Sequence, residues 1–131
     1  MKRVIAFVIS CLLLTILVGC NNYGKKLQYK KGELYYTKAV NEAEAKKLGE
    51  FLQDKKYFTD DKEVTVQVDK SGDIYAVRYA FVEGLENNQD VVNELKAWNR
   101  EMSQKVFDGK KVETHMCDKH LETKKVISMN D

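Results

Sequence analysis

Val91, Leu95, Trp98, Met102 and Val106 recur at helical spacing, the clearest periodicity in a chain of 131 residues. A helix with one apolar stripe must bury that stripe against another element. Asn87 or Asn88 can cap its start, Asp90 complements its dipole, and Gly109 after Asp108 supplies a stop. The flanking segments indicate what it packs on. Val64, Val66 and Val68 alternate with Thr65, Gln67 and Asp69, which predicts a half-buried strand with the valines inward. Asp69-Lys70-Ser71-Gly72-Asp73 signals a hairpin turn, and a second strand runs from Ile74 to about Val82. One face of that strand carries Tyr75, Val77, Tyr79 and Phe81. The other carries Ile74, Ala76, Arg78, Ala80 and Val82, and Arg78 marks it as the wetter face.

Upstream, Glu33 to Thr37 is rich in strand-favouring residues. Asn41 with Glu44 three residues later reads as a capping box, and Val40 with Ala45 as a hydrophobic staple. Ala45, Leu48, Phe51 and Leu52 then share one helical face, which weakens at Asp54-Lys55-Lys56; Tyr57 and Phe58 pack beneath the exit. Downstream, Val112 to Cys117 and Lys124 to Met129 read as strands. The order is β-α-β-β-α-β with a short extra C-terminal strand. It predicts an α+β domain, a two-layer sandwich of split-βαβ, ferredoxin-like type, with two helices over one face of an antiparallel sheet. A two-layer fold with another strand order, or a last strand paired to a partner chain, satisfies the same pattern.

Ahead of this domain, Met1-Lys2-Arg3 is a short positive segment, and Val4 to Val18 is almost purely apolar. A helix of about 15 residues rises roughly 22 Å, against about 30 Å of hydrocarbon core, so the run suits a signal peptide better than a membrane span. It closes on Leu17-Val18-Gly19-Cys20, which resembles the lipobox of bacterial lipoproteins. The resemblance implies cleavage after Gly19 and a diacylglyceryl group on the Cys20 thiol. It divides the chain into a signal peptide over 1–19, a lipidated Cys and flexible tether over 20–32, and one α+β domain over 33–131. Asn21 is not the Asp that often marks inner-membrane retention in that family, so the expected address is the cell membrane or outer membrane, outside the cytoplasm. The tether, NNYGKKLQYKKG, fits a solvated spacer, or a segment whose lysines meet anionic headgroups while Tyr23 and Tyr29 sit at the interface. The globular part resembles small uncharacterised lipoprotein domains, which implies no particular activity.

Charge and motifs narrow the function classes. Of 22 basic residues two, Lys2 and Arg3, precede the lipobox; the remaining 20 balance 20 acids, without the basic excess that nucleic-acid binding needs. No phosphate loop, dinucleotide fingerprint, metalloprotease motif or nucleophile elbow occurs. Asp69 to Asp73 lacks the terminal acid of a calcium loop and reads as a turn. Trp98, Tyr75, Tyr79 and Phe81 have core periodicity, although they could line a pocket.

The chemically richest stretch is His115-Met116-Cys117-Asp118-Lys119-His120. On a strand His115 and Cys117 point to one side, and His120 could close over them from the following turn. Imidazole and thiolate would suit zinc or copper, with Met116 a soft donor from the other face. The spacing matches no strong metal signature, and a buried Cys117 beside surface histidines explains it equally. A lone mature thiol outside the cytoplasm is expected to be buried. The sequence thus points to a lipid-anchored, non-enzymatic binding domain held at the membrane, with an envelope component as partner. A metal-binding lipoprotein using His115, Cys117 and His120 is the alternative, and a small hydrolase or inhibitor ranks last.

Overall fold

A computed structural model describes residues 23–129. The expected signal peptide and Cys20 lie outside the described residues. The described chain forms a six-stranded mixed sheet and two helices: β1 (Lys25–Tyr29), β2 (Gly32–Tyr36), α1 (Glu42–Asp54), β3 (Val64–Ser71), β4 (Ile74–Ala80), α2 (Gln89–Lys105), β5 (Lys111–Cys117) and β6 (Thr123–Ile127).

Local chemistry accounts for most element boundaries. At α1, Asn41 Oδ1 accepts the Glu44 N–H at 2.8 Å and Glu44 returns a carboxylate oxygen to the Asn41 N–H, a complete capping box. Val40 and Ala45 are both buried, as the staple requires. At α2, Asn88 Oδ1 takes the N–H groups of Asp90 and Val91 at 3.0 and 3.3 Å. Gly72 at φ +60° opens the two-residue turn between β3 and β4, a position that needs positive φ. Tyr75, Val77 and Tyr79 of β4 are buried, and Arg78 faces the wetter side.

The strand order departs from the ferredoxin-like expectation. The sheet runs β1-β2-β3-β4-β5-β6 in sequence order. β2 pairs parallel with β3 and β4 parallel with β5, while β1–β2, β3–β4 and β5–β6 are antiparallel. A split βαβ unit leaves room for a strand between the two it links; here each helix connects immediate neighbours, so nothing interleaves. The segment expected to be a tether is also corrected. Residues 25–29 form edge strand β1, with Lys25 to Tyr29 in register against Tyr36 to Gly32. Its Tyr29 ring stacks on Phe58 at 5.6 Å over Gly49, where there is no space even for a Cβ.

Both helices pack on one face of the sheet. Phe51 of α1 meets Trp98 of α2 edge-on at 6.3 Å, and Lys55, the C-cap of α1, pairs with Glu101 of α2 at 2.7 Å, which holds that carboxyl below its usual range. Beneath them lie Leu34, Leu48, Leu52, Val66, Val68, Val77, Met102 and Ile127, all at most 1 % exposed. Tyr75 stacks on Phe107 at 4.0 Å and donates its hydroxyl to Glu44. The parallel pairs run in opposite directions while both helices share one face, so the two crossovers have opposite hand. One of them therefore departs from the right-handed rule.

Candidate functional site

Strand alternation sends every second side chain to the face without helices. The pairing register aligns Lys26, Tyr35, Gln67, Arg78, His115 and Val126 in one row across all six strands of that face. Ala76 and Ala80, one step either side of Arg78 on β4, keep the middle of the face low.

Tyr23 folds back over this row. Its carbonyl accepts a hydrogen bond from Gln67 Nε2 at 2.9 Å, its ring meets Tyr35 edge-on at 5.3 Å, and its hydroxyl donates to the His120 carbonyl at 3.3 Å. Gly24 makes the turn possible: it sits at φ +102°, and a Cβ there would lie 2.2 Å from the Tyr36 carbonyl oxygen.

Acids on this face already have partners. Glu33 pairs with Lys26 at 3.1 Å, and Asp69 accepts from the Thr37 hydroxyl at 2.6 Å and from the Lys70 N–H at 2.8 Å. Glu113 lies 3.2 Å from His115 Nε2, and His115 Nδ1 lies 3.0 Å from Thr123 Oγ1. Arg78 differs: among the described residues its Nε is a buried side-chain nitrogen with no hydrogen-bond partner. An unpaired buried donor on a cation costs stability. Arg78 as a whole is only half-buried.

The residues of the alternative metal reading are engaged in other contacts. His115 and Cys117 do share the open face of β5, as strand geometry requires. His115 is engaged on both ring nitrogens. Cys117 is 3 % exposed, donates to the His115 carbonyl at 3.4 Å, and has its thiol pKa pushed up by burial. His120 lies at an exposed turn, its N–H bound to Asp118 at 2.9 Å. Met116 is buried on the helix side. Among the described residues no group of three His, Cys, Asp or Glu side chains is placed to hold a metal ion. Trp98, Tyr75, Tyr79 and Phe81 belong to the core or pack against it, as their periodicity suggested.

Sequence reasoning missed Tyr23, Gln67, Glu113 and Thr123 as members of one surface. Glu113-x-His115-x-Cys117 was available as a same-face triplet on a strand. Nothing in the local sequence brings Tyr23 to Gln67, 44 residues away. A separate pocket of about 330 Å³ opens past the C-terminal ends of β4 and β5, between Phe81, Val82, Glu86, Cys117, Asp118 and Lys124. It is at the small end of the range for ligand sites and mixes both charges at its mouth.

Residues 26–129 match the family model AF_1994_N, described as a family N-terminal domain. No curated protein and no solved structure matches the chain.

Proposed function

The chain belongs to the AF_1994_N family, whose N-terminal domain accounts for residues 26–129, and from its own residues we propose that it is a lipid-anchored domain of the cell envelope that binds through its helix-free sheet face. The carrying observation is the spacing between anchor and fold. Leu17-Val18-Gly19-Cys20 stands three residues ahead of Tyr23, which is already bound to the sheet. Two or three acyl chains on Cys20 exceed the one-chain threshold for stable membrane residence.

Binding rather than catalysis suits the open face. A reactive thiol is exposed and has a lowered pKa, whereas the Cys117 thiol is buried with its pKa raised. The row from Lys26 to Val126 instead offers mixed polar and apolar contact through Lys26, Arg78 and Val126, with Tyr35 and Gln67 buried against Tyr23.

Metabolic labelling with palmitate in the native host tests the anchor. Label is expected in the wild-type protein and absent from Cys20→Ala, which should shift from the membrane to the soluble fraction. Equal labelling of the two proteins overturns the proposal.

A further inference from the structure

Resting on that anchor, we propose that the helix-free face of the sheet lies flat against the bilayer, with Arg78 taking the phosphate of a lipid headgroup.

Reach is the first argument. From Cys20 to Tyr23 there are three peptide steps, at most about 11 Å fully extended. Tyr23 does not sit at a lateral edge of the sheet: its carbonyl is held by Gln67 on β3, an inner strand. Six strands at about 4.8 Å spacing make a sheet about 24 Å wide, so that point is on the order of 10 Å from either lateral edge. To turn the helices toward the membrane, residues 20–22 would have to pass that edge and then a helical layer about 10 Å thick. They are too short. The face carrying Tyr23 is therefore the one kept beside the lipid, within headgroup range of the acylated sulfur.

Chemistry is the second argument. The acids Glu33, Asp69 and Glu113 are engaged by Lys26, Thr37 and His115, and among the described residues none forms an ion pair with Arg78. Arg78 is half-buried at the centre of the row, and its Nε has no partner within the fold. A guanidinium binds phosphate through paired, charge-assisted hydrogen bonds. Tyr23 at the same site has the amphipathic ring favoured at a membrane interface. Val126, 44 % exposed at the far end of the row, adds apolar contact.

The test uses the native acylated protein with labelled alanine methyls, inserted into phosphatidylglycerol–phosphatidylcholine nanodiscs that carry a nitroxide on the headgroup. Ala76 and Ala80 report the open face; Ala43 and Ala97 report the helices. Broadening is expected to be severalfold stronger at Ala76 and Ala80. Arg78→Gln should lower the docked-to-undocked ratio about tenfold, the loss of one charge-assisted contact, with Arg78→Lys in between. Stronger broadening at Ala43 and Ala97, or equal broadening at all four, overturns the orientation. An unchanged pattern in Arg78→Gln overturns the phosphate contact. Mass spectrometry of the native protein separates the two levels: bare Cys20 refutes the anchor itself, whereas acylated Cys20 with the wrong broadening pattern refutes this inference alone.

Discussion

Asn99 is fully buried on α2 and uses both ends of its amide. Its Nδ2 donates to the Ile127 carbonyl at 3.0 Å, and its Oδ1 accepts the Thr114 hydroxyl at 2.6 Å. One side chain thus ties a helix to β5 and to edge strand β6. A buried amide of this kind stabilises only while every partner remains, because a stranded hydroxyl or carbonyl incurs its full desolvation cost. Asn99→Ala is expected to lose about 2–4 kcal/mol, combining a small cavity with two orphaned groups. Thr114→Val in the Asn99→Ala background should cost less than in the wild type, with a coupling of about 1 kcal/mol. Urea denaturation of the four proteins measures this; strictly additive losses would show that the two side chains do not act together.

Among the elements, β1 shows a contest between local propensity and packing. Its sequence, KKLQY, is short, three of its five residues are exposed, and its turn to β2 passes through Lys30 at φ +58° with neither central residue a glycine or asparagine. Leu27 and Tyr29 commit it to the sheet by packing against the core. Tyr29 fits because residue 49 of α1 is glycine; a Cβ there would lie 2.2 Å from the tyrosine ring. Gly49→Ala gains about 1 kcal/mol of helix propensity, but overpacking costs about 1–3 kcal/mol. The expected result is net destabilisation with faster hydrogen exchange in β1. In a Tyr29→Ala background the clash is gone and the same substitution should stabilise by up to about 1 kcal/mol. Chemical denaturation reads the sign in each background, and the same sign in both would sink the account.

At the scale of the whole molecule, the tyrosine core sets the alkaline limit of the fold. Burial pushes the phenols of Tyr57, Tyr75 and Tyr79 above their ordinary value, and Glu44 adds to the shift at Tyr75. Their contribution is complete below pH 10, the unfolded value, and is lost as pH rises from there toward the folded values. In that window the folded state holds protons that the unfolded state has released. Each tyrosine then removes about 1.4 kcal/mol per pH unit, and three together about 4 kcal/mol. A domain with about 5–15 kcal/mol of stability should unfold within a few units above pH 10. Tyrosinate absorbance from the buried set is expected to rise together with the loss of far-ultraviolet circular dichroism. Ionisation of all seven tyrosines with the dichroism intact would contradict it.

The sequence by itself determined what is local. The Asn41 and Asn88 caps, the alternation that buries Tyr75, Val77 and Tyr79 while turning Arg78 outward, and the turn at Gly72 follow from hydrogen bonds and periodicities within a few residues. Only the tertiary structure decided which strands are neighbours, because element order is compatible with several sheets and the choice rests on which apolar faces close over one another. It also decided that β1 is a strand, through a ring stack on Phe58 and a missing Cβ on α1. The candidate surface belongs to the same category. Tyr23, Gln67, Arg78 and His115 are scattered along the chain, and they become one row only because interstrand register, a long-range property, sets them side by side.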